Sequence, residues 1–327
     1  MSTSSIPQGD PGRTVSGPDH WAAPGAAQQP YPAAPGPQVP PQAAPADWPQ
    51  GVPAGPSQTV PGGAPVPAAA NPRAALSIRG LVKFFGGRCA VAGIDLDVPA
   101  GSLFGLVGPN GAGKTTALSM ATGLLRPDQG QVHVAGHDVW ADPAAAKALM
   151  GVLPDGLRTF DRLSGRELLE FVARMHRIDR TTARQRADQL LATLDLAGDA
   201  DKMVCDYSAG MAKKIGLACA LIHNPRLLVL DEPFESVDPV SGETIRQILH
   251  RYTAGGGTVV MSSHVMELVE TLCDAVAVMA AGRILAAGTI DEVRAGLPLQ
   301  QRFLQLVGVH RVGGGELSWL DTSPGSN

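Results

Sequence analysis

Clusters of positive charge are missing from this chain: 26 lysines and arginines stand against 30 acids, for a formal net charge of -4, and no basic block forms. A nucleic acid is therefore not an expected partner, because holding a phosphate backbone takes a concentrated basic surface. Apolar runs approaching the roughly 20 residues of a membrane span are missing too, so any association with a membrane is expected to come through another polypeptide. Cysteine is sparse. Cys89, Cys205, Cys219 and Cys273 lie far apart without the spacing of a metal or redox site, and reduced, intracellular thiols are expected. The first residues lack the basic start and apolar core of a secretory signal.

The amino-terminal part lacks nearly everything a core needs. Residues 1–72 hold 18 of the 28 prolines, only four charges (Asp10, Arg13, Asp19, Asp47) and almost no aliphatic side chains. Ordering such a segment would cost more entropy than its burial returns, so a disordered, locally polyproline-like arm is expected. Trp21, Tyr31 and Trp48 suit contacts with a partner, or are simply solvated with the rest of the arm. Residues 309–327, with three consecutive glycines at Gly313, Gly314 and Gly315, read as a flexible tail.

What is present centres on Gly108-Pro109-Asn110-Gly111-Ala112-Gly113-Lys114-Thr115-Thr116, which fits Gly-x-x-x-x-Gly-Lys-[Ser/Thr] from Gly108 to Thr115. A loop that wraps a triphosphate turns its backbone N–H groups inward, and side chains at the glycine positions would obstruct that approach. Lys114 is then a cation for the β and γ phosphates, and the Thr115 hydroxyl a ligand for Mg2+. The flanks agree: 102–107 is short, apolar and strand-like, and 115–123 can continue as a helix whose positive end faces the phosphates. A triphosphate with Mg2+ is the implied ligand.

Ahead of this loop, Leu76 to Phe85 has strand composition, Gly86-Gly87 turns the chain into Cys89 to Val91, and Ile94 to Val98 alternates apolar and acidic residues, so a small antiparallel sheet is expected. Phe84 and Phe85 suit a core, or one ring turned outward to stack on an adenine. Past the loop, Gly130 to Gly136 reads as another strand. A helical layer is expected from Leu163 to about Asp201, with Ser164/Glu167 and Thr182/Gln185 as capping boxes and Leu168, Phe171, Val172 and Met175 as its apolar stripe. His176 beside that stripe reads as an ordinary helix residue.

Leu227 to Leu230 is an aliphatic run that ends in Asp231 and Glu232, as a buried parallel strand does where its carboxyl end meets a ligand. Asp231 is placed to hold Mg2+ through water, and Glu232, one residue further out, to polarise an attacking water. A solvated strand end is the plainer alternative. Thr258 to His264 repeats the pattern; His264 suits a γ phosphate or an attacking water, although a lone histidine at a strand end is often structural.

Over roughly residues 76–308 the chain resembles the nucleotide-binding subunit of an ABC transporter. The discriminating stretch is Tyr207-Ser208-Ala209-Gly210-Met211, some twenty residues before Asp231, which is similar to the signature usually written Leu-Ser-Gly-Gly-Gln, in its drug-exporter form. The resemblance implies an α/β, P-loop NTPase fold of ABC ATPase type over 73–308, with a small antiparallel β subdomain and an inserted helical subdomain at about 155–215. It implies that Phe85 stacks on adenine, that Ser208 and Gly210 meet the γ phosphate held by the opposite subunit, that Asp238 lies in the loop after the carboxylates, and that His264 is the switch histidine. Asp155 stands where glutamine or glutamate is usual, a nucleotide and metal position. The implied function is an ATPase with Glu232 as general base, acting as a homodimer on the inner, cytoplasmic face of the cell membrane. There it would drive a permease that exports drugs or other small molecules; the alternative is a soluble ATP-gated clamp or scaffold.

Overall fold

The first strand, β1 (Ala74–Phe85), turns at Gly86 and Gly87 and pairs antiparallel with β2 (Arg88–Pro99). Two strand pieces expected on the return limb are one strand here. Leu81 faces Ile94 and Val82 faces Ala92, which leaves Gly93 as an extra residue at φ 75°; a glycine in that conformation makes a bulge without ending the ladder. The computed structural model describes residues 71–156 and 162–308. All but the last two residues of the expected arm, and the whole expected tail, lie outside the described residues.

The chain continues through β3 (Leu103–Val107), α1 (Lys114–Ala121), β4 (Gln129–Val134), β5 (His137–Asp138), α2 (Pro143–Ala148) and β6 (Met150–Leu153). Three helices follow, α3 (Gly165–Met175), α4 (Arg180–Thr193) and α5 (Ala209–Leu221), then β7 (Leu227–Leu230), α6 (Pro239–Ala254), β8 (Thr258–Ser263) and α7 (Met266–Leu272). The described chain closes with β9 (Ala275–Ala280), β10 (Arg283–Thr289), α8 (Ile290–Arg294) and α9 (Leu299–Val307). One sheet is antiparallel with order β2-β1-β4-β5. The other has order β10-β9-β3-β8-β7-β6 and is parallel except for its β9–β10 edge.

The second sheet separates two hydrophobic cores, because successive side chains of a strand point to opposite faces. In β7 every residue is buried: Leu228 and Leu230 join the core under the helical layer, while Leu227 and Val229 join the core under the antiparallel sheet. This is why 227–230 reads as a continuous aliphatic run rather than an alternating one. Leu228 is fully buried, so Leu228→Ala would cost about 2–5 kcal/mol.

The helical layer departs from the expected pattern in two places. Ser164 and Glu167 do form a reciprocal capping box on α3. Thr182 caps nothing: Asp179 is the cap of α4, accepting from the N–H groups of Thr181 and Thr182, because the acid one turn earlier is already in extended backbone geometry. The apolar stripe of α3 also splits. Leu168, Leu169 and Ala173 are buried, whereas Phe171 and Met175 lie on the exposed side, Met175 at 68%.

Candidate active site

The buried strand β3 delivers the glycine-rich loop, and α1 begins directly at Lys114. Two of its glycines are required by packing. A Cβ on Gly108 would sit 2.0 Å from the Met279 carbonyl oxygen, and one on Gly113, at φ 104°, would sit 2.5 Å from that of Ala90. The N-terminus of α1 has no side-chain cap, so its first N–H groups are available to an anion. Pro109, Asn110 and Gly111 are exposed at the loop's tip, Ala112 is buried beneath it, and Thr115 is exposed with Thr116 half-buried beside it.

Lys114 is 6% exposed and folds back over its own loop, donating to the carbonyls of Gly108 at 2.8 Å and Pro109 at 3.3 Å. Its Nζ also lies 3.5 Å from Glu232 Oε1. Glu232 follows Asp231 at the carboxyl end of β7 with φ 48°, a conformation that non-glycine residues rarely keep unless their surroundings impose it. Here the imposing contacts are visible. The Glu232 N–H donates to Ser262 Oγ at 2.9 Å, and its Oε2 accepts from His264 Nδ1 at 3.1 Å. The structure thus brings the predicted Lys114, Glu232 and His264 into one chain of polar contacts.

Asp231 is 4% exposed and takes hydrogen bonds from the hydroxyls of Ser262 and Thr115. Burial holds its carboxyl above the usual carboxylate range; the two hydroxyls oppose that shift, and the nearby charges of Asp155 and Glu232 reinforce it. A buried carboxylate in this state gains from a cation, and oxygen donors from Thr115 and Asp231 suit a hard divalent one. The loop and these two residues therefore fit a nucleotide together with its cation.

Asp155 lies just past β6, half exposed, with Oδ1 3.8 Å from Lys213 Nζ. Ser208 caps α5, accepting from the Met211 N–H at 3.3 Å. A Cβ on Gly210 would come within 3.2 Å of the Ser236 carbonyl oxygen, so only glycine packs there without displacement. Among the described residues no hydrogen bond or ion pair joins Ser208 or Gly210 to the loop, Asp231 or Glu232. Asp238 caps α6, accepting from the N–H groups of Val240 and Ser241, and the Ser241 and Val240 bonds hold its carboxyl below the usual range. Phe85 sits at the tip of the β1–β2 hairpin with Lys83 Nζ 5.7 Å from its ring centroid. Phe84 and Phe85 are 48% and 50% exposed, so of the two alternatives open from sequence, a core place and an outward ring, neither side chain takes the core place.

Two participants were not singled out by sequence. Ser262 ties Asp231 to Glu232; its signal was the pair of serines that ends the 258–264 run. Lys213 offered no signal, since its partner Asp155 is remote in sequence.

Known proteins bear on this geometry. The ABC transporter family matches residues 91–235. The chain is 39% identical over 221 residues to the daunorubicin resistance ATP-binding protein DrrA3 of Streptomyces coeruleorubidus, covering 68% of this chain and 70% of that one. It is 35% identical over 214 residues to the linearmycin resistance ATP-binding protein LnrL of Bacillus subtilis, covering 65% and 69%. Among solved structures, an ATP-binding subunit of an ABC transporter superposes with a TM-score of 0.67 at 24% identity, over 71% of this chain and 99% of that one. CbiO1 of Clostridium perfringens, part of the ABC transporter complex CbiONQ, superposes at 0.60 with 26% identity, over 72% and 95%. No helix among the described residues is long and apolar enough to cross a membrane. The chain belongs to the ABC transporter family, as an ATP-binding and ATP-hydrolysing subunit that drives a membrane permease.

Proposed function

We propose that two copies of this chain close face to face on MgATP at the inner face of the cell membrane, and that their opening and closing drives a permease that exports drugs or other small molecules. The observation that carries this reading is Glu232 held between Lys114 and His264 at 3.5 and 3.1 Å, a carboxylate poised beside the phosphate loop. Lys114 and backbone N–H groups of the loop after Pro109 bind the phosphates, and Glu232, oriented by His264, takes a proton from the attacking water. Thr115 and Asp231, with Asp155 beside them, would hold Mg2+, which would supply positive charge to offset that of the phosphates. Phe85 stacks on the adenine. Ser208 and Gly210 begin a separate helix and serve the γ phosphate of the opposite copy, with Asp238 in the loop that faces it; each site is half built in a single chain. The resistance functions named for the relatives support export and lend nothing to the soluble clamp.

The test is specific activity over a dilution series, with and without the membrane protein that copurifies from solubilised native membrane. Activity per chain is expected to rise with concentration and to rise further with the permease, which holds two chains together. A rate per chain independent of both would overturn the reading.

A further inference from the structure

The carboxyl ends of β6 and β7 are adjacent, Leu153 opposite Leu230 in a parallel register, so Asp155 and the Asp231–Glu232 pair emerge side by side. Three carboxylates then share one edge of the site, and Asp155 and Glu232 both raise the Asp231 carboxyl by like charge. Lys114 meets this group from the loop side at Glu232. On the other side stands Lys213, on the second turn of α5, with its side chain only 13% exposed. Its Nζ lies 3.4 Å from the Asp231 carbonyl oxygen and 3.8 Å from Asp155 Oδ1. Among the described residues it is the basic side chain that Asp155 pairs with.

We propose that Lys213 is a positioning residue for ATP hydrolysis: it fixes Asp155 and the backbone turn that carries Asp231 and Glu232, and so ties the orientation of the Ser208 helix to the carboxylates of the same chain. The proposal rests on the ATPase assignment. The physical grounds are three. The stem of Lys213 is packed, so its ammonium arrives pre-placed and little rotamer entropy is lost in holding it. A half-exposed carboxylate such as Asp155 has many orientations, and one fixed cation selects among them. The same ammonium bonds the carbonyl at the residue before Glu232, whose φ of 48° requires external support. A change in the tilt of α5 therefore reaches Glu232 through one side chain.

Four purified full-length proteins test this against the parent: Lys213→Met, Lys213→Arg, Asp155→Asn, and the Lys213→Met/Asp155→Asn double variant. Lys213→Met is expected to lower kcat about 10-fold while KM for ATP moves by less than about 3-fold, a size usual for partners in one charge network. Lys213→Arg recovers most of that rate, and the double variant is no slower than the worse single one. Calorimetric ATP-binding stoichiometry is measured on each protein, so that kcat is expressed per competent site and a merely unfolded fraction does not count as a loss. A kcat unchanged in Lys213→Met, an equal defect in Lys213→Arg, or multiplicative losses in the double variant would each overturn the proposal. Absence of hydrolysis by the parent chain would instead sink the ATPase assignment on which it rests.

Discussion

Lys114 Nζ and Glu232 Oε1 lie 3.5 Å apart, although one comes from the loop after β3 and the other from the turn after β7. Both side chains are mostly buried, so each compensates a charge that would otherwise be desolvated alone. The same ammonium donates to Gly108 and Pro109, which keeps it within the loop it would use to hold phosphate.

Removing that ammonium takes away the cation directed at the β and γ phosphates. Lys114→Ala is expected to abolish tight MgATP binding, as read by isothermal calorimetry. Unchanged affinity would show that the loop holds no triphosphate.

Glu232→Gln removes the base and also releases Lys114 from its ion pair. ATP should bind at least as tightly as to the parent, while hydrolysis slows by roughly 100-fold or more, the usual worth of a positioned base. Single-turnover rates with bound nucleotide quantified separately decide this. A variant that turns over at the parent rate would place the base elsewhere, with His264 the next to test.

Burial raises the Asp231 carboxyl, so folding favours its neutral form; the stability that form provides is present at acid pH and lost as pH rises through the folded-state value. Asp231→Asn mimics the neutral form and can keep both hydroxyl contacts. It is expected to raise Tm by about 2–4 °C, the shift that about 1 kcal/mol gives in a domain of this size, while hydrolysis is lost. A lower Tm at pH 7 would contradict a burial cost for the Asp231 charge.

His223 and His176 stack with ring centroids 3.7 Å apart. His223 Nε2 donates to the Met150 carbonyl at 3.0 Å, and its Nδ1 is buried with no hydrogen-bond partner among the described residues. Burial, with the charges of His176 and Arg186 adding to it, pushes His223 down to about 4. A depressed folded value means stability present above the ordinary histidine range and lost as pH falls from about 6.5 towards 4. Tm should decline over that window, and His223→Gln, which keeps a donor for Met150, should flatten the decline. Identical slopes in the two proteins would show that carboxylates alone set the acid limit.

Much of the fold was legible because it depends on local chemistry. The glycines of 108–113 announce a backbone that must approach closely, the aliphatic run 227–230 announces a strand covered on both faces, and Ser164 with Glu167 announces a helix start. Family resemblance extended this to the order of the elements. The contacts that set the chemistry were not local. Lys213 reaches Asp155 and the Asp231 carbonyl, and Ser262 joins Asp231 to Glu232, only because β6, β7 and β8 lie side by side with their carboxyl ends together. Sequence spacing carries no record of which lysine of the Lys213-Lys214 pair will face the site, nor that the acid before α4 would displace Thr182 as its cap. The types of residue that could bind and cleave a phosphate were thus determined by sequence alone. Which charges compensate which was decided by tertiary structure, because electrostatic pairing depends on distances and burial that exist only after the sheet has assembled.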